Sequence, residues 1–237
     1  MTDIKIKQHN GFLIGSFEEL KESDLDCIIE TTKLPPEERK GPLSGRGFIS
    51  HTDLPKIGKV VVKRYTHGGL VNYVNKSYYF KFGKFRPQPE FEILRKIKAL
   101  GIHTPKPIAF IVQGHFVYKA WLITQEIVNN KTLAELSLTD EDRARKVMPE
   151  VTKQIDILIE NRICHIDLHP GNVLVDPYEK AYIIDFDKAY LYKRSLNSLR
   201  DYYLCRWRRA VIKHHLPEYL SELFCVELLK NYDRPQQ

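Results

Sequence analysis

Eight residues, His165–Asn172 (HIDLHPGN), followed by the apolar run and acids of Ile183–Asp187 (IIDFD), constrain this 237-residue chain more than any other stretch. They supply a carboxylate at Asp167, a side-chain amide at Asn172 five residues later, and a second carboxylate at Asp185, 18 residues past the first. Asp167 and Asn172 share one tight loop, with Gly171 free to make the sharp turn between them. Asp185 returns from an apolar strand. Phosphoryl transfer from a nucleotide needs such a set. One carboxylate accepts or orients the proton of the attacking hydroxyl, while a carboxylate and an amide oxygen hold Mg²⁺ on the phosphates, because hard cations take oxygen ligands. A polar turn in which Asp167 merely caps backbone amides is the plainer alternative, and the downstream strand carboxylate argues against it.

That chemistry makes demands on the first half of the sequence. A lysine on a strand should anchor the phosphates, and Lys63 in VVVKRY fits, flanked by apolar Val60 and Val62 with Arg64 on the opposite face. A glutamate on the next helix should pair with it. Glu90 and Glu92 both qualify, and Glu90 is preferred because the pattern EFxxL then turns Phe91 and Leu94 into the core. A loop over the phosphates is offered by Ser44-Gly45-Arg46-Gly47-Phe48, in which Gly45, Arg46 and Gly47 are candidate ATP-binding residues.

The coarse element pattern agrees. Residues 47–51, 59–65, 109–112 and 121–124 read as strands, and 89–100 as one helix ended by Gly101. Later, Thr139 is a predicted N-cap before Asp140, Glu141 and Asp142, and Val151, Ile155, Leu158 and Ile159 form one apolar face after Pro149. Residues 173–175 and 182–184 read as short strands, and helix follows. A strand-rich first part and a helix-rich second part predict an α+β fold of two lobes, 1–125 and 126–237, dividing near 126–131.

HxDxxxxN followed by a strand and Asp-Phe resembles the catalytic and metal-binding loops of the protein-kinase-like fold. Three departures point away from peptide substrates. The loop has Ile166 where protein kinases have Arg, Asp187 stands in place of the Gly of DFG, and no activation segment follows Asp185. A nearer resemblance is carried by GRG at 45–47, KRYTHGGL at 63–70, EFEIL followed by GIHTPKPIAF, HIDLHPGNVLVD and IIDFDKA. Together these are similar to the lipopolysaccharide-core kinases of Gram-negative bacteria, chiefly those acting on 3-deoxy-D-manno-octulosonic acid (Kdo). The stretch FRPQPEF at 85–91 departs from that family's pattern. The resemblance implies ATP and Mg²⁺ as cofactors and phosphorylation of Kdo O-4 on a Kdo–lipid A acceptor. It also implies Asp167 as catalytic base, Asn172 and Asp185 as metal ligands, and Lys63 with Glu90 as the nucleotide anchor. A heptose kinase of the same core shares every quoted motif. An atypical protein kinase is disfavoured by the three departures above, and an inactive module binding membrane or nucleic acid would have to retain Lys63, Asp167, Asn172 and Asp185 for no chemical use.

Charge bears on the partner. The net charge of +7 hides two basic regions: eight Lys or Arg and no acid between Leu54 and Pro89, and eight against Asp201 alone between Lys188 and His215. Elsewhere 21 bases face 29 acids. Tyr65, Tyr73, Tyr78, Tyr79, Phe80, Phe82 and Phe85 interleave with the first region, as an interfacial surface favours. In the second, Leu196, Leu199, Tyr203, Trp207 and Ala210 or Val211 form a helical stripe that leaves Arg200, Arg206, Arg208, Arg209 and Lys213 largely off it. The expected partners are therefore the glycolipid and an anionic membrane surface, with no nucleic acid. No run is apolar enough to span a bilayer, no signal core opens the chain, and the four scattered cysteines read as reduced thiols. The expected location is the cytoplasm, peripheral on the inner membrane.

Overall fold

A computed structural model describes residues 3–35, 37–38, 48–66 and 78–230. The glycine loop, with Gly45, Arg46 and Gly47, lies outside the described residues, as do residues 67–70 of the KRYTHGGL stretch and Tyr73. Two compact units account for the rest: the described residues up to 38, 48–95 and 105–126 form the first, while 96–104 and 127 onward form the second.

The first unit is built on one antiparallel sheet. Its elements are β1 (Lys5–His9), β2 (Phe12–Ser16), α1 (Glu22–Lys33), β3 (Glu37–Glu38), β4 (Phe48–Leu54), β5 (Gly58–Arg64), β6 (Tyr79–Phe80), α2 (Gln88–Ala99, of which this unit holds the part up to Arg95), β7 (Pro107–Gly114) and β8 (Val117–Gln125). The strand order is β1-β2-β7-β8-β5-β4-β3, and β6 adds to β8. Strand β7 is buried from Pro107 to Val112, so its sequence reads as a continuous apolar run rather than an alternation. Leu25, Ile28 and Ile29 of α1 enter the same core as Val60, Val62, Ile111 and Trp121. The expected single helix here gains α1 as a second. Its signal is weak: the residue at its start, Lys21, makes no side-chain cap bond, and no glycine closes it.

Helix α2 is seated by aromatic packing. A Cβ at Gly15 would lie 2.2 Å from the Phe110 ring, so the glycine lets Phe110 press against β2. Phe110 meets Phe91 edge-on at 5.4 Å, and Phe91 stacks on Phe17 at 4.3 Å. These contacts fix the rotation of α2 about its axis.

The second unit contains β9 (Lys131–Thr132), α3 (Leu133–Thr139), α4 (Glu141–Glu160), β10 (Ile163–Cys164), a 3₁₀ turn (Pro170–Asn172), β11 (Val173–Val175), β12 (Ala181–Ile183), β13 (Tyr190–Leu191), α5 (Leu196–Lys213) and α6 (Tyr219–Lys230). Strands β12-β11-β9 form one small sheet and β10-β13 another. The α+β class stands as the sequence predicts. One detail differs: Asp140, not Thr139, caps α4, its carboxylate accepting from Arg143 N at 3.2 Å. Thr139 is taken by α3, whose own capping box pairs Thr132 with Glu135. Helix α4 runs through Pro149 because that residue faces water, where the lost backbone bond is easily resolvated. Val151, Ile155, Leu158 and Ile159 are all buried, as are Leu199, Tyr203, Trp207 and Val211 of α5. Trp207 stacks on Phe224 of α6 and donates from Nε1 to Leu220 O at 3.0 Å. The cysteines are all free thiols.

Candidate active site

Two groups of polar side chains stand out, one in each unit. In the first unit, β5 places Val60 and Val62 in the core and leaves Lys63 partly exposed. Its ammonium donates to both carboxylate oxygens of Glu90 at 3.1 Å. Glu90 is only 3% exposed, and Tyr65 OH also donates to its Oε2. A carboxylate this deep must be paired and hydrogen-bonded to remain charged. The structure therefore separates the two candidate glutamates. Phe91 and Leu94 face inward, which turns Glu90 toward Lys63, while Glu92 lies on the outer flank and pairs with Lys84 at 2.6 Å.

In the second unit, the loop after β10 is tied at several points. His165 is fully buried, its Nε2 2.9 Å from Ile184 O, and Phe186 packs on its ring at 4.6 Å. The His165 N–H donates to Tyr203 OH at 2.8 Å, and that hydroxyl donates onward to Ile163 O at 2.7 Å. Ile184 N–H donates to Asn172 O at 3.0 Å. These bonds fix the residue before Asp185 to both ends of the Asp167–Asn172 loop. Asp185 itself sits at φ +64°, a left-handed conformation rare for a non-glycine residue and found at sites whose surroundings over-determine it.

The amide of Asn172 is 6% exposed and donates from Nδ2 to Asp167 O at 2.8 Å, which turns its Oδ1 the other way. The donor set fits a hard cation: one amide oxygen and one carboxylate suit Mg²⁺, which keeps waters and substrate phosphates as its remaining ligands. Among the described residues no group of three or more His, Cys, Asp or Glu forms a self-sufficient metal cage.

His169 caps the 3₁₀ turn by accepting from Gly171 N at Nδ1, 3.0 Å away. Burial, reinforced by His165 and His214, pushes its pKa down from 6.5 to about 4, with Asp185 opposing. It is therefore neutral at neutral pH, as its acceptor role requires.

Asp167 is half exposed. Its Oδ1 receives the guanidinium of Arg206, and His169 Nε2 lies 3.9 Å from its Oδ2. Arg206 comes from α5, whose Tyr202 also donates to Ile166 O at 2.9 Å. The arginine missing from beside the loop aspartate thus arrives from another element. From the sequence, Arg206 belonged to a free basic face meeting lipid; the structure gives it to Asp167 instead. Its position three residues after Tyr203, on a helix already marked by an apolar stripe, was the available signal. Spacing shows Tyr203 only as core, because its hydroxyl partners come from a segment some 40 residues earlier.

The description "Lipopolysaccharide kinase (Kdo/WaaP) family" belongs to a family model that matches residues 41–218. The chain is 34% identical over 157 residues to the 3-deoxy-D-manno-octulosonic acid kinase of Vibrio cholerae, covering 64% of this chain and 65% of that one. It is 30% identical to the kinase of the same description from Photobacterium damsela subsp. piscicida, covering 73% and 72%. A third, from Actinobacillus succinogenes, is 28% identical, covering 78% and 81%. The chain thus spans just under two thirds of the length of the Vibrio cholerae relative.

Proposed function

The chain belongs to the lipopolysaccharide kinase (Kdo/WaaP) family, and from that premise we propose that it transfers the γ-phosphoryl group of ATP to O-4 of Kdo on Kdo–lipid A. The observation that carries this reading is the Asp167–Asn172 loop, bonded through Asn172 O and His165 to the residue preceding Asp185. Asp167 takes the proton of the acceptor hydroxyl as its oxygen bonds to the γ-phosphorus and the bond to the leaving ADP oxygen breaks. Asn172 Oδ1 and Asp185 would hold magnesium, whose charge offsets that of the phosphates. Lys63, oriented by Glu90 and Tyr65, neutralises and positions the nucleotide's phosphates. Most of the rate enhancement is then positioning and charge neutralisation, because the transition state is loose. Gly45, Arg46 and Gly47 are assigned to the nucleotide by their motif.

The acceptor is a glycolipid, and the reading includes peripheral attachment to the cytoplasmic face of the inner membrane. No helix among the described residues is long and apolar enough to cross a membrane. Support for a docking face comes from Phe80, Phe82 and Phe116, which are 65%, 89% and 76% exposed. Lys81 N donates to Phe116 O at 2.9 Å, and the ammonium groups of Lys81 and Lys119 lie over the rings of Phe85 and Tyr78. Aromatic rings with flanking lysines suit a headgroup layer. Sedimentation with anionic vesicles at low ionic strength, lost as salt rises, is expected. Failure to sediment at low salt removes the membrane part of the reading. The acceptor part is tested by offering Kdo–lipid A and a heptose-terminated core with Mg-ATP. A mass gain of one phosphate on the first alone supports it, and a gain only on the second makes the protein a heptose kinase.

A further inference from the structure

Arg206 is the one basic residue of α5 seen to touch the candidate base, and it holds more than that contact needs. Its Nη2 meets Asp167 Oδ1, while its Nε is buried with no hydrogen-bond partner among the described residues. A buried donor left unmatched calls for a reason. Arginine presents a planar fork of five donors suited to bidentate capture of a carboxylate, and here the Nε–H of that fork is unmatched.

Its surroundings are cationic. Tyr202, Arg206, Arg209 and Lys213 recur on one face of α5 at helical spacing. Tyr202 binds the loop at Ile166, Arg206 binds it at Asp167, Arg209 acts electrostatically on Arg206, and Lys213 and His214 act on His169. This face therefore runs along the catalytic loop from Ile166 to His169. An acceptor hydroxyl that is to lose its proton to Asp167 has to lie against this row. An octulosonic acid brings a carboxylate with it.

We propose that Arg206 is the residue that binds the acceptor sugar's carboxylate, exchanging its resting contact with Asp167 for a two-pronged contact to that group. This rests on the Kdo reading above and deepens it: the specificity element for an acidic sugar is the arginine that shields the base in the free protein. The exchange conserves charge pairing, since one carboxylate partner replaces another. It leaves Asp167 free to take the hydroxyl proton only when an acidic sugar is present. A neutral sugar lacks the group that draws Arg206 away.

The test crosses the enzyme with its acceptor. Purified wild type, Arg206→Gln and Arg206→Lys are each assayed on Kdo–lipid A and on the same glycolipid with the Kdo carboxylate converted to its amide. Wild type should favour the acid by about 10- to 100-fold in kcat/KM. In Arg206→Gln the preference should shrink to about threefold or less, with KM for ATP unchanged, and Arg206→Lys should fall between. If Arg206→Gln does not fold, the Arg206→Lys ratio carries the comparison. A wild-type enzyme indifferent to the amide overturns the inference, and so does a variant that loses rate on both acceptors while keeping the full preference. Wild-type inactivity on both glycolipids sinks the Kdo reading and this inference together. Wild-type activity with an unchanged ratio in the variants sinks the inference alone.

Discussion

Replacing His169 with Asn should remove a specific pH dependence of stability while keeping the cap it provides. In the folded protein His169 is 12% exposed and accepts the Gly171 N–H, so a proton at Nδ1 would set two donors against each other. Burial is the first cause of its lowered pKa, about 4 against 6.5 for the free side chain, with electrostatic interaction with His165 and His214 next. Between those two values the unfolded chain binds the proton and the folded chain does not. Stability from this residue is therefore complete above pH 6.5 and is lost as pH falls toward 4. Integrating over that interval gives a loss of about 2 kcal/mol between about pH 8 and about pH 5. Asn can accept the same N–H and cannot titrate. Urea unfolding of wild type and His169→Asn across that range should show a stability difference that moves by about this amount, wild type losing more in acid. A difference that stays flat with pH, or an imidazole NMR titration near 6.5, would refute the reasoning.

Other expectations follow from the same geometry. Asp185→Asn keeps a residue tolerant of positive φ and should fold normally, yet lose about 100-fold or more in turnover; near-normal rates in steady-state assays would remove Asp185 from the metal site. Glu90→Gln should raise KM for ATP by about tenfold, whereas Glu92→Gln, which loses only an exposed ion pair with Lys84, should leave it unchanged; equal effects would contradict the pairing. Tyr203→Phe strips the hydroxyl shared by His165 N and Ile163 O and should cost about 2 to 4 kcal/mol in denaturant unfolding. A loss under about 0.5 kcal/mol would mean that water replaces it.

What the sequence revealed followed from how local each signal was. The strand of Lys63 and the short strands flanking Asp185 were readable because β-branched runs and their Gly or Pro boundaries lie within a few residues. The choice of Glu90 over Glu92 rested on a helix face, which Phe91 and Leu94 betray by spacing alone. Helix α1 has no clear sequence signature because acids interrupt its apolar stripe and neither end carries a strong cap. Thr139 misled because two helices abut there, and the residue that looks like the cap of one is the last turn of the other. Arg206 and the hydroxyl of Tyr203 were illegible for another reason. Their partners lie 39 and 40 residues away in the chain, and only the packing of α5 brings them to the loop. Periodicity shows which face of a helix is buried, but not which loop meets its polar flank.

The most direct measurement follows the labelled γ-phosphate of ATP. After incubation with Kdo–lipid A and magnesium, mild acid separates the acid-labile Kdo from the lipid, and each fraction is counted and its phosphate placed by phosphorus NMR. Label is expected on the Kdo fraction, at O-4, with none in that fraction for Asp167→Ala. Label retained on the lipid, found on the protein, or appearing only as inorganic phosphate would contradict that expectation.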